Sequence, residues 1–230
     1  LKALTCAVFL FITSVAFADD FTIDLTSGWD RETSVMTDYV SRGISQTHGL
    51  PSTSTTMFYT FTNGSYLGGQ AIYSQVGNQN IQADLVGGWD IAINKKLSYE
   101  VGFDYQNYPF SKLHAANSLE FQHIINYNLN ERTTFIAAAT FQPQAAQHAG
   151  FQTYSSVGLD FTVSSDITVG GRIGYLTTQV HRVQQNYADW TLTISCDMGH
   201  GISLLGQYTG LSEHCADCGN RFVAIIDYSF

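Results

Sequence analysis

Basic residues are scarce in this sequence: 10 Lys and Arg stand against 19 Asp and Glu, for a formal net charge of −9. A nucleic-acid partner would need a basic face, so this balance argues against one. Charged residues of both signs make up only 13%, against roughly 25% in an ordinary soluble domain. There are only 3 Pro. Beyond the N-terminus no run of 18 apolar residues occurs, which argues against a helical membrane protein. No segment shows a convincing helical period, and no linker or low-complexity stretch divides the chain. A Gly-x-Ser-x-Gly element is missing too, and no Ser has an evident His partner, so an enzyme is not expected.

What is present points to many short strands. The chain holds 13 Tyr, 15 Phe and 20 Gly among its 230 residues, a mixture that suits strands better than helices. It suits a soluble β-sandwich equally, so composition alone does not choose. The N-terminus adds a constraint. Lys2, an apolar stretch from Leu4 to Phe17 and the small-x-small triplet Ala16-Phe17-Ala18 read as an export signal cleaved after Ala18. Residues 1–18 are therefore expected to be a signal peptide and 19–230 one outer-membrane domain.

From residue 33 onward the chain divides into segments of alternating polarity. Strands are expected near 33–46, 52–62, 65–76, 81–92, 97–108, 117–127, 132–142, 151–163, 167–178, 188–197, 201–211 and 220–230. Residues 19–32 read as a lead-in or a longer first strand, and the faces of 52–62 and 65–76 are unclear. Tight turns such as Asn63-Gly64 and Asn128-Leu129-Asn130-Glu131 alternate with mostly longer connections. Short turns on one side and longer loops on the other are the pattern of a transmembrane barrel. The expected fold is all-β: a closed antiparallel transmembrane β-barrel of about 12 strands, up-and-down in topology, in the bacterial outer membrane. The last strand places Phe222, Ala224, Ile226, Tyr228 and Phe230 on one face. Such an ending is expected to engage the barrel-assembly machinery, and the outer face to meet lipid.

The stretch Thr37-Asp38-Tyr39-Val40-Ser41-Arg42-Gly43-Ile44-Ser45-Gln46-Thr47 resembles the S-D-Y-V-x-R-G-x-S-Q signature of the TorF family of proteobacterial porins, departing from it at Thr37. Tyr187-Ala188-Asp189-Trp190 is similar to a late Tyr-x-Asp-Trp segment of that family, and the terminal Phe agrees. The resemblance implies an outer-membrane pore. It names no substrate and supplies no catalytic residues.

Within the strands, Asp38, Asp84, Asp90, Glu100, Asp104, Glu120, Asp160, Asp189, Asp197 and Asp227 fall on the inward phase, with Arg42, Arg172 and Arg221. Asp38 and Arg42, on one strand, would lie about 13 Å apart and meet opposite charges on neighbouring strands, while Gly43 would let the strand bend or bulge near the rim. Acids lining a pore favour cations. The expectation is a porin-like channel for passive diffusion of small solutes, cation-preferring. The alternative is a structural or metal-capturing barrel with a closed lumen. For metal capture the candidates are His48, His114, His148, His181 and His214 in the longer loops, with Cys215 and Cys218 beside His214. Imidazole and thiolate suit Zn²⁺, Cu⁺ or Ni²⁺. The simpler reading makes the histidines ordinary surface residues and Cys215–Cys218 a disulfide closing a short loop. His123 is expected to face lipid with Phe121 and Ile125. No resident cofactor is implied.

Overall fold

The computed structural model describes residues 27–73, 81–110, 117–145, 150–179, 186–213 and 217–230. The expected signal peptide lies outside them. Twelve antiparallel strands form a closed barrel: β1 (Gly28–Met36), β4 (Ser52–Thr60), β5 (Ser65–Ile72), β6 (Gln82–Asn94), β7 (Leu97–Asn107), β8 (Ser118–Asn130), β9 (Thr133–Ala145), β10 (Gly150–Thr162), β11 (Ile167–Thr178), β12 (Tyr187–Gly199), β13 (Ile202–Leu211) and β14 (Arg221–Ser229). Two short strands, β2 (Val40–Ser41) and β3 (Ile44–Ser45), pair only with each other. Consecutive barrel strands are neighbours, and β1 pairs with both β4 and β14. Closure leaves no open edge in the barrel sheet, the condition for placing a sheet in hydrocarbon.

The short turns carry their own explanation. At one end of the barrel, Asn63, Asn94, Asn130 and Asp197 each accept the backbone N–H two residues on, at 2.8–3.0 Å. A short polar side chain that satisfies its own turn in this way reverses the chain within a few residues. Both β1 and β14 have their terminal ends on this side, so the longer connections share the opposite rim.

The two faces are inverted relative to a soluble protein. Ile173 is 62% exposed and Leu192 56%, whereas Asp104 is 1% and Glu120 2% exposed. In water this arrangement would fail twice, once for each face. It is the expected one when lipid lies outside and a polar lumen inside. Trp29, Tyr59, Trp89, Tyr127 and Tyr228 have outward phase on lower strand segments, as an interfacial aromatic belt requires.

The ambiguous strands resolve through a partly filled lumen. Met57 and Phe61 face out, while Phe58 faces in, is 2% exposed, and packs with Tyr66 and Val86. Phe58 leans across Gly68, where any Cβ would collide with its ring. Ile72 faces in, and Tyr73 lies just past the end of β5.

One expectation is corrected. The first strand does not run from 33 to 46. It starts earlier, at Gly28, and ends at Met36. The chain then leaves the wall and folds inward, and Asp38 and Arg42 lie on this inward segment rather than on a barrel strand. The alternation of β1 continues through β2 and β3, which is why the segment reads as one long strand. Closure with β14 holds, through Glu32↔Ser229 to Met36↔Ile225.

Candidate functional site

The inward segment is a hairpin entering from the long-loop end. Its exit from β1 is pinned to β14 by two hydrogen bonds: Thr37 N–H to Ala224 O, and Ala224 N–H to Thr37 Oγ1, each 3.0 Å. Val40 then pairs with Ser45 and Ser41 with Ile44. The connecting residues Arg42 and Gly43 have φ of 49° and 79°. Positive φ at both central positions is the type I′ turn, whose twist suits a two-residue hairpin.

Asp38 organises the base. Its Oδ1 accepts from Ser45 Oγ at 2.6 Å and Thr47 Oγ1 at 2.8 Å, and its Oδ2 accepts from Arg221 Nη1 at 3.1 Å. Ser45 N–H donates to Asp217 O at 3.1 Å, and His48 Nδ1 lies 2.7 Å from Asp217 Oδ1. Met36, Tyr39, Val40, Ile72 and Val223 pack together beneath. On the far side, Ile44 and Leu211 pack against Tyr154, Leu176 and Tyr187.

Arg42 forms the tip. Its Nη2 lies 2.7 and 2.6 Å from the two oxygens of Glu120 on β8 and 3.0 Å from Thr140 Oγ1 on β9. Its guanidinium carbon sits 4.6 Å above the centre of the Tyr154 ring on β10. In ring order β9 lies six strands from β1 in either direction. The hairpin therefore crosses the lumen from wall to opposite wall.

Around the tip, carboxyls follow one another across the strands. Asp104 is the direct cross-strand neighbour of Glu120, and Asp84 lies one strand further on. Gln106 Nε2 donates to Asp104 Oδ2 at 3.1 Å and Gln82 Nε2 to Asp84 Oδ2 at 2.8 Å. The Oδ1 atoms of both are buried with no hydrogen-bond partner among the described residues. Lower down, Glu100 accepts from Tyr66 Oη at 2.7 Å and Gln122 Nε2 at 3.0 Å. The Tyr66 phenol lies flat over Gly88 and Gly102, so that it reaches from β5 to β7. Tyr154 does the same over Gly174 and donates to Asp189 Oδ2 at 3.1 Å. Asp160 and Arg172 line a small recess with Ile136, Gly158, Gly171, Thr191 and Thr193. Asp90 is buried, as is Asp227, to which Ser203 Oγ donates at 3.4 Å.

Asp197 is the exception among the predicted lining residues. It lies exposed at the short-turn rim, where its carboxylate holds the Gly199 N–H. Asp30 and Glu32 of β1 share the inward phase of buried Ser34 and were missed. Their period-two spacing with Ser34 was the available signal, in a stretch read as either a lead-in or a longer first strand. The inward tyrosines 66, 154 and 187 were also missed, although Tyr154 shares the phase of Gln152 and Ser156.

Of the metal candidates, His48 is engaged with Asp217. His114, His148, His181, His214 and Cys215 lie outside the described residues, and Cys218 is disulfide-bonded. Among the described residues no three His, Cys, Asp or Glu are grouped as metal ligands. His123 faces outward, with Nδ1 2.6 Å from Tyr99 Oη and its ring stacked on Phe141.

The fold is shared with solved outer-membrane channels. The chain matches the KdgM porin at 15% identity and a TM-score of 0.62, over 89% of this chain and 99% of that one. That porin has also been solved in complex with disordered oligogalacturonate. An outer-membrane channel of Pseudomonas putida F1 (COG4313) matches at 10% identity and 0.59, over 94% and 99%. The NanC porin matches at 11% and 0.58, over 88% and 99%. No curated protein matches the sequence significantly. The closed barrel, its apolar exterior and its polar interior place the chain in the bacterial outer membrane. Residues 26–226 match a family described as "Bacterial protein of unknown function (Gcw_chp)", and the chain belongs to that family.

Proposed function

We propose that this protein is a porin-like channel that passes small solutes across the outer membrane, prefers cations, and is narrowed at its outer mouth by the hairpin of residues 37–47. The observation that carries this reading is the charge of the lumen. Eleven carboxyls among the described residues belong to it: Asp30, Glu32, Asp38, Asp84, Asp90, Glu100, Asp104, Glu120, Asp160, Asp189 and Asp227. Among the described residues the guanidiniums of Arg42, Arg172 and Arg221 oppose them, Arg42 lying against Glu120 and Arg221 against Asp38. Acidic lining raises the local cation concentration and repels anions. The contrast with the KdgM porin is informative, since oligogalacturonate is an acidic saccharide and this lumen carries the charge that repels it. The resemblance of residues 37–47 to the TorF porins supports the same general role.

Purified protein in a planar bilayer under a KCl gradient tests the proposal. Discrete conductance steps with a reversal potential displaced toward that of the cation are expected. An absence of steps would remove the channel, and a reversal potential on the anion side would remove the preference.

A further inference from the structure

The pocket that holds the hairpin tip fits another kind of cation better than the one it holds. Arg42 Nη2 is surrounded by three oxygens, Glu120 Oε1 at 2.7 Å, Glu120 Oε2 at 2.6 Å and Thr140 Oγ1 at 3.0 Å. A guanidinium –NH₂ has two hydrogens, while a primary ammonium has three donors. The Nε of Arg42 is meanwhile buried without a partner among the described residues. The guanidinium thus leaves one acceptor over and one donor idle. The Tyr154 ring, 4.6 Å from the guanidinium carbon, offers a face that attracts an ammonium as well as a guanidinium.

A second observation extends the site. Asp104, only 1% exposed, is directly opposite Glu120 in the strand pairing, and its Oδ1 has no partner among the described residues. Asp84, on the strand beyond, is in the same condition. Neighbouring strands are about 4.8 Å apart, the reach of a short methylene chain. A first ammonium at Glu120 would therefore bring a second one to Asp104, and the longer chain of a polyamine would extend to Asp84 one strand further on.

We propose that the pocket formed by Glu120, Thr140 and Tyr154, with Asp104 and Asp84 beside it, binds linear aliphatic diamines or polyamines, and that Arg42, by occupying it, holds the channel at its narrowed bore, which small inorganic cations still pass. This inference rests on the channel reading and names a solute class for it. Solute and hairpin tip compete for the same oxygens, so an arriving diamine displaces the tip and clears its own path. Simple inorganic cations lack the three-donor head and do not displace it.

The test is calorimetric titration of the detergent-solubilised protein with 1,4-diaminobutane, using tetramethylammonium as a cation without N–H donors. Arg42→Ala vacates the pocket and should bind the diamine at least tenfold more tightly than wild type. Arg42→Lys refills it with an ammonium and should not. Adding Glu120→Gln to Arg42→Ala should reverse the gain. Arg221→Ala frees the hairpin at Asp38 without touching the pocket, so it should also tighten diamine binding if Arg42→Ala does not fold. Equal diamine affinity in wild type and in the vacated variants would overturn the proposal, as would tetramethylammonium binding as well as the diamine. Heat is read here rather than current. A silent bilayer therefore leaves this result standing, and failed binding leaves the channel standing.

Discussion

Arg42→Ala should undock the hairpin without unfolding the barrel. The Arg42 and Glu120 side chains are 12% and 2% exposed. Removing one partner of a buried pair costs about 3–5 kcal/mol, because the other charge is left buried and alone. At about 1.4 kcal/mol per decade, this shifts the docking equilibrium by roughly two to three and a half decades. Water entering the vacated pocket will relieve part of the penalty, so the lower figure is the safer expectation. The hairpin's own fold should survive, since Asp38 keeps Ser45, Thr47 and Arg221. Hydrogen exchange read by mass spectrometry provides the assay. Peptides covering residues 37–47 should exchange on the order of a hundredfold faster, while β8, β9 and β10 stay protected. Unchanged exchange in the hairpin would refute the reasoning, and would mean that the base alone holds it.

Four further expectations follow from the same geometry. Gly43→Ala places a Cβ 3.0 Å from Leu211 Cδ2 at a φ of 79°, and should destabilise the docked hairpin by about 1–2 kcal/mol, read by faster exchange in residues 37–47. Gly174→Val drives the Tyr154 hydroxyl away from Asp189, and the overpacking should cost about 1–3 kcal/mol, lowering the temperature at which the barrel unfolds in a gel-mobility assay. Asp104→Asn should reduce the cation-to-anion permeability ratio in bilayers, whereas Asp197→Asn at the rim should change it far less. Phe58→Ala should raise unitary conductance by emptying the lower lumen, at a cost of about 3–5 kcal/mol in denaturant unfolding.

The barrel was legible because lipid imposes a strict period of two. Leu159 and Leu192 point out, and Asp160 and Thr191 point in, as the sequence alone predicts. The short turns were legible through Asn63 and Asn130, whose side chains close their own turns. The hairpin was not. Val40, Ile44 and their neighbours keep the same alternation as β1, and a tertiary partner decides where the strand ends. Arg-Gly is also an unusual turn pair for positive φ at both positions, where Asn-Gly or Asp-Gly is preferred. The strain of placing Arg42 there is offset across the lumen, at a glutamate 78 residues away in the chain. No local reading finds that partner. Four of the five candidate loop histidines fall outside the described residues, so their chemistry rests on the sequence alone.

The tyrosines that lie across bare glycines have a mechanical meaning. Tyr66 ties β5 to β7, and Tyr154 ties β10 to β12, each passing over the strand between. These ties run around the circumference, like hoops on a cask, rather than projecting into the bore. A wall hooped from within resists flattening when its filling moves. Were the hairpin to undock, the frame that receives it would keep its cross-section.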